Sequence, residues 1–409
     1  MRKYMVLATI AVLALTACAK IETGSGGNAQ KKDVPIGFTN YTPKPLSKVG
    51  DTYISGTSLV TDKQFAVYAW LTAYDSFLPV NPGVPGFMDP AVVTWKNDTG
   101  TGSTNTYTPT RYWPAGDTPA NLSFTAYYPY GGAGITAPTF ATGVGTYEFE
   151  AQDASADMID FCVADVVNDQ VYGSTNKFAT TNNDNHKGTV DFSFHHQLTK
   201  VQFCFKTTET DASTEVKLVE AQLKNVYTKG TLTATFAQHT EDTDNDTTTP
   251  EVTVTGVNKV GTTSTNWSDQ GFSTPKITYD LTLNNSNHTV TSNEIKLETS
   301  VNTIHQNDIF LMVPQEMVEP TFNTDTGALT NTPQYLEVTW KVITNGVTTT
   351  NTRKLYLYDC LDNSTSPTRI DWVKNNNVIY TVTIGPSPIY FTGTVSNWAA
   401  EQEGYFNVH

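Results

Sequence analysis

The sequence predicts an all-β protein made of antiparallel sandwiches, and three observations carry that expectation. Short runs alternate apolar and polar residues and are separated by Gly, Pro, Asn and Asp, as antiparallel sheets with one buried face require. Aromatics make up 11% of the chain, with 20 Tyr and 19 Phe, against 16% charged residues, a balance suited to pleated surfaces. No 3.6-residue apolar period persists beyond a couple of turns, so no long amphipathic helix is expected. At 409 residues the chain is long enough for two domains, each with its own core.

Taken in order, residues 1–17 read as an export signal. Arg2 and Lys3 precede an apolar run, Met5 to Leu15, that is too short to span a bilayer. Leu15-Thr16-Ala17-Cys18 resembles a bacterial lipobox, which makes Cys18 the lipid-bearing mature N-terminus and the lipid the route to a membrane. Residues 18–33, with Gly24-Ser25-Gly26-Gly27, have little to bury and read as a flexible tether. The first domain is expected over 34–186. Its strand candidates are Val34 to Phe38, Phe65 to Trp70 and Leu122 to Tyr128. A polar stretch, Lys177 to Gly188, is the expected linker, and the second domain follows over 187–409. Its candidate strands begin with Val190 to Phe194, Val201 to Phe205, Leu218 to Val226, Leu232 to Phe236 and Ile277 to Leu283. They continue with Ile309 to Val313, Leu336 to Ile343, Lys354 to Tyr358, Val378 to Ile384 and Ile389 to Phe391. A Thr/Asn/Asp-rich insertion near 239–269 reads as a surface loop or a β-ribbon.

Charge and chemistry exclude more than they name. A net charge of −15, with only four arginines, argues against nucleic acid as a partner, because a phosphate backbone needs a basic footprint. Adjacent His195 and His196 invite a metal reading, but neighbours on a strand point to opposite faces and cannot chelate one ion without a bulge. Asp242-Thr243-Asp244-Asn245-Asp246 opens like a calcium loop, then has Thr247 and Thr253 where Gly and Glu are needed, so a solvated acidic loop is the better reading. Cys162, Cys204 and Cys360 allow at most one internal disulfide. No nucleophile-base order or phosphate loop stands out, so the chain is read as no enzyme, with no metal and no cofactor.

Several segments together resemble the fimbrillin family of Bacteroidetes lipoproteins. Tyr112-Trp113-Pro114 followed by Phe124 to Pro129 is similar to that family's aromatic hairpin. Phe194-His195-His196-Gln197-Leu198-Thr199-Lys200-Val201 is similar to its strand start, Val313-Pro314-Gln315 to a strand end, and Trp372, Tyr380 and Val395 to Trp398 to its closing strands. The resemblance implies two transthyretin-like antiparallel β-sandwich domains in series. It also implies a fimbrial subunit, on the outer membrane or cell surface, whose partners are other fimbrial subunits, the membrane through its lipid, and a host or bacterial surface ligand. Subunits of that kind join by strand addition, in which an extended segment fills an apolar groove and pairs with its backbone. Val34 to Phe38 is the candidate removable strand, and the C-terminal run with Val395, Trp398, Phe406 and Val408 is the candidate donor. The best-known members are trimmed after an arginine beyond the first strand. Here no arginine lies between Arg2 and Arg111, which leaves Lys44, Lys48 and Lys63 as candidate processing sites. The rival expectation is a stand-alone surface lipoprotein, like a tip adhesin, that binds glycans or host ligands through exposed aromatics.

Overall fold

A computed structural model describes residues 34–41, 62–72, 85–96, 105–114, 121–141, 144–153, 157–170, 188–236, 259–260, 263–268, 276–281, 294–299, 309–362, 368–385 and 389–397. The expected signal and tether, Cys18, Lys44, Lys48, the acidic loop at 242–246, Trp398, Phe406 and Val408 lie outside the described residues. What is described is strand and loop, with a short 3-10 turn at Leu357–Asp359.

Strands β1 (Gly37–Tyr41), β2 (Gln64–Thr72), β3 (Met88–Thr94) and β4 (Asn121–Tyr128) belong to one sheet. β5 (Thr139–Ala141) and β6 (Val144–Glu150) start another, and β7 (Cys162–Ala164), β8 (Val167–Gln170) and β9 (Thr189–His196) return to the first. After β9 come β10 (Thr199–Thr207), β11 (Thr214–Val226) and β12 (Lys229–Phe236), then β13 (Lys259–Val260), β14 (Thr263–Ser268), β15 (Lys276–Asp280) and β16 (Ile295–Lys296). The chain closes with β17 (Phe310–Met312), β18 (Tyr335–Thr344), β19 (Val347–Tyr356), β20 (Asn376–Ile384) and β21 (Ile389–Asn397).

The first sheet runs β1-β9-β7-β4-β2-β3, with β8 and β13 attached beside β4. A second runs β14-β12-β6-β5, a third β17-β10-β20-β21 and a fourth β15-β11-β18-β19, with β16 beside β11. Pairing is antiparallel except for β1 with β9 and β10 with β20. Those two parallel pairs join segments far apart in the chain, where no hairpin could connect them.

The division expected at residue 187 is not followed by the strand pairing. β9 lies after it and pairs with β1 and β7, and β12 completes a sheet with β6. Local polarity marks a loop, whereas pairing depends on which apolar faces meet, and that lies beyond a local window. The expected insertion near 239–269 supplies two described strands, β13 to the first sheet and β14 to the second.

Alternation along β2 and β4 is real, but both of their faces are buried. Phe65, Val67, Ala69, Leu122, Phe124, Ala126 and Tyr128 fill the inner core of the first sheet. Ala66, Tyr68, Trp70 and Tyr127 face Tyr147, Phe149, Leu232 and Phe236 of the second sheet, in a core that continues into the third and fourth. The first sheet therefore has one face on its own enclosed core and the other on the core shared with the second sheet.

β18 and β19 form a hairpin around Asn345 and Gly346, with φ of 50° and 80°, a left-handed pair that Asn-Gly adopts at low cost. The strand expected over Lys354 to Tyr358 stops at Tyr356. The Leu357 N–H still donates to the Gln334 carbonyl at 3.0 Å, next in register after Tyr335–Tyr356, and the chain then turns as Cys360 N–H closes onto Leu357 O at 3.1 Å.

Candidate functional site

Both terminal strands sit at sheet margins, and each is held differently. β1 pairs in parallel register with β9, Phe38 opposite Val190. Ile36 just before it and Phe38 within it are 2% and 1% exposed. Phe38 stacks on Phe192 at 5.8 Å and meets Phe124 edge-on at 6.1 Å. Burying two such side chains stabilises the fold by about 1.5–3 kcal/mol each.

The outer side of this segment is covered by residues 105–113. The Ile36 N–H donates to Arg111 O at 2.9 Å, and the Trp113 N–H to Val34 O at 3.0 Å. Asn105 Nδ2 donates to Phe38 O at 2.7 Å, and the Tyr107 hydroxyl to Ile36 O at 2.9 Å. Trp113 Nε1 donates to Gly188 O at 3.0 Å, which ties the covering segment to the start of β9.

β21 lies at the margin of the third sheet, paired antiparallel with β20 from Ile384–Ile389 to Asn376–Asn397. Phe391 stacks on Tyr380 at 5.3 Å, and Tyr380 on Phe203 at 5.2 Å, a ring ladder across β21, β20 and β10. Tyr390 and Val395 are 41% and 38% exposed. Val395, a candidate donor residue, stands opposite Val378 within this sheet. On the outer side an isolated parallel bridge joins Gly393 to Asp362. Gly393 lets the strand pass over Ile370, since a Cβ there would lie 2.4 Å from Ile370 Cδ1.

Of the candidate processing residues, Lys63 is described. It immediately precedes β2, half-buried, and its carbonyl accepts the Trp95 N–H at 2.9 Å. Cutting there would break the chain at the very start of β2, beside this hydrogen bond.

The two histidines point to opposite sides of β9, each to its own carboxylate. His195 Nε2 is 2.7 Å from Asp165, and His196 Nδ1 is 2.9 Å from Asp160. Cys162 Sγ lies 3.5 Å from His196 Nδ1 and 3.6 Å from Asp160 Oδ1. Sequence inspection missed this buried grouping of Asp160, Cys162 and His196, because His196 comes from a distant strand and nothing local marks Asp160 and Cys162 at the start of β7. Their donor atoms lie within 4.8 Å of one another, close enough to face a single ion. Burial first, and Asp160 second, push the Cys162 thiol well up from its ordinary range. A protonated, enclosed thiol is a poor nucleophile, so the grouping serves to fasten β7 to β9. Cys162, Cys204 and Cys360 are all free and buried, with no disulfide among them. None of the six described tryptophans is exposed, and the exposed aromatics Tyr112, Tyr130, Phe322 and Tyr390 lie on four separate segments.

Layered sheets of paired strands, with a terminal strand at a sheet margin at each end, define an all-β protein. The fimbrillin-like family model matches residues 54–398, so the chain belongs to the fimbrillin-like family. A fimbrial-subunit role is the function that this membership supports. Among solved structures the chain is similar to a fimbrial protein from Bacteroides vulgatus, at 19% identity and a TM-score of 0.56, covering 90% of this chain and 100% of that one. That likeness establishes the fold. It is also similar to a protein named for cell adhesion from Bacteroides uniformis, at 16% identity and a TM-score of 0.40, covering 90% and 99%. A C-terminally truncated tip fimbrial protein, Mfa3 from Porphyromonas gingivalis, matches at 8% identity and a TM-score of 0.35, covering 83% and 95%. No curated protein matches the sequence.

Proposed function

We propose that the chain is a structural or accessory subunit of an adhesive fimbria, exported as a lipoprotein on Cys18 and joined to its neighbours by strand addition at the cell surface. One observation carries this reading: the segment Val34 to Tyr41 supplies Ile36 and Phe38 to the core of the first sheet, yet it lies at that sheet's margin. Its removal would leave an apolar slot beside unpaired backbone groups of β9, and an extended segment from another subunit satisfies both.

The C-terminal Phe406-Asn407-Val408 has the required spacing. Entered in the same direction as β1, it sets Phe406 in the place of Ile36 and Val408 in the place of Phe38, with Asn407 at Gly37. Residues 398–409 follow directly on β21 and reach roughly 40 Å when extended, which lets Val395 and Trp398 stay with their own subunit while the tail reaches the next. Cutting at Lys44 or Lys48, both between β1 and β2 in sequence, frees β1 without severing a described strand. The role is structural, with no reaction assigned to any residue.

The test is proteolysis with a lysine-specific enzyme, followed by electrophoresis without boiling. A ladder of stable oligomers that disappears on deletion of residues 398–409 is the expected result, and a subunit that stays monomeric after excision of β1 overturns strand addition. Cys18→Ala should move the protein to the soluble fraction, and membrane retention of that variant overturns lipid anchoring.

A further inference from the structure

The segment covering β1 does more than shield it. Its first residues pair with β3, at the opposite margin of the same sheet: the Thr94 N–H donates to Thr106 O at 3.0 Å, and the Lys96 N–H to Asn105 Oδ1 at 2.8 Å. Its last residues pair with the strand at the other margin, Tyr112 bridging Pro35. The segment thus closes the sheet on itself around the core that holds Ile36 and Phe38. β1 is a marginal strand by pairing order, but it lies between two partners.

We propose that residues Asn105 to Trp113 form the outer rail of a two-sided strand slot, whose inner rail is β9. The slot takes an extended segment with apolar residues two apart, and in the assembled state that segment is the C-terminal run of a second copy. This deepens the strand-addition reading and rests on it.

The rail grips backbone. Asn105 and Tyr107 donate to the carbonyls of Phe38 and Ile36, and Arg111 accepts the N–H of Ile36, so these contacts transfer to any sequence that runs in the same direction and register. Tyr107 is the positioning residue of the rail. Its hydroxyl accepts the Arg111 N–H at 3.2 Å while donating to Ile36 O, and its ring leans on Phe38 at 5.3 Å. A strand bonded on both edges cannot peel off from one side, so the rail must open before β1 leaves and close again over its replacement. Side-chain choice belongs to the pockets of Ile36 and Phe38, and retention belongs to the rail.

The experiment uses the full chain cut between β1 and β2, with the N-terminal fragment still bound. Release of that fragment is timed by competition with a labelled peptide of residues 34–41. Tyr107→Phe keeps the ring and Asn105, replaced in Asn105→Ala, is half-buried, and the urea midpoint of each uncut variant checks that it folds. Each should release the fragment roughly five- to tenfold faster, the change expected for losing one hydrogen bond of about 1 kcal/mol, with the double variant faster than either. Release indistinguishable from the unsubstituted protein in the double variant overturns the rail. A labelled peptide of residues 398–409 separates the two readings. If it fails to enter the emptied slot while the variants still speed fragment release, strand addition falls and the rail stands.

Discussion

β1 and β21 occupy equivalent places in their sheets, one at each end of the folded body, but they bury very different things. β1 is short and parallel to its neighbour, and two large apolar side chains enter the core at or beside it. β21 is nearly twice as long and antiparallel, and it carries exposed Tyr390 and Val395 along its length. Length and hydrogen-bond count favour β21, whereas apolar burial favours β1. Because a net backbone hydrogen bond contributes about 1 kcal/mol and a fully buried Ile or Phe about 1.5–3 kcal/mol, removing the shorter strand opens the deeper hole.

The comparison is most exposed at Phe38. Phe38→Ala should destabilise the protein by about 3–5 kcal/mol, the usual cost of truncating a buried Phe, read as a lowered urea midpoint with an unchanged slope. A change below 1 kcal/mol would make β1 as dispensable as an ordinary edge.

The next effect comes from pH, and it asks whether the sheets carrying the two strands unfold together. Burial raises the Cys204 thiol in β10, two strands from β21, from 9.0 to about 11. Burial likewise raises Tyr127 in β4, within the first sheet, from 10.0 to about 12. The unfolded chain ionises at the lower value while the fold keeps its proton. Stability is therefore full below pH 9 and is lost as pH rises, between 9 and 11 for Cys204 and between 10 and 12 for Tyr127. About 2–3 kcal/mol is at stake for Cys204. Urea midpoints from pH 8 to 11.5 should fall in a single transition, and Cys204→Ala should flatten the first part of the fall. Two separate transitions would show that the sheets melt independently.

Smaller changes sharpen the picture at β21. Gly393→Val forces the terminal methyl of Ile370 aside and crowds Cys360 Sγ, 3.2 Å from the new Cβ, at a cost of about 1–2 kcal/mol in thermal or urea denaturation. Val395→Ala should change stability by no more than about 0.5 kcal/mol, since the side chain is well exposed. A larger loss at Val395 would mean that this end of β21 is covered by something more than its own sheet.

Much of this was legible residue by residue. The runs at Leu122 to Tyr128, Val190 to Phe194, Val201 to Phe205 and Val378 to Ile384 are strands, because alternation and β-branched or aromatic content act over the same few residues that form the element. Facing directions followed as well: His195 and His196 had to diverge on a strand, and each has its own aspartate. The strand expected over Lys354 to Tyr358 instead runs from Val347 to Tyr356, because its polar Thr-rich first half is held by pairing with β18 and its end turns into the 3-10 turn at Leu357–Asp359. The buried meeting of Asp160, Cys162 and His196 was invisible because His196 comes from a distant strand.

Composition and local pattern already point to β structure and to most of the strands found among the described residues. Those properties depend on neighbouring residues and on a period of two, so the sequence itself holds them. The fold alone decided that β2 and β4 are buried on both faces, that β12 completes a sheet begun by β6, and that residues 105–113 run from β3 across β1 to close the first sheet. Each of these depends on which distant surfaces come together, and hydrophobic burial, being non-directional, leaves that choice to the packing of the whole chain.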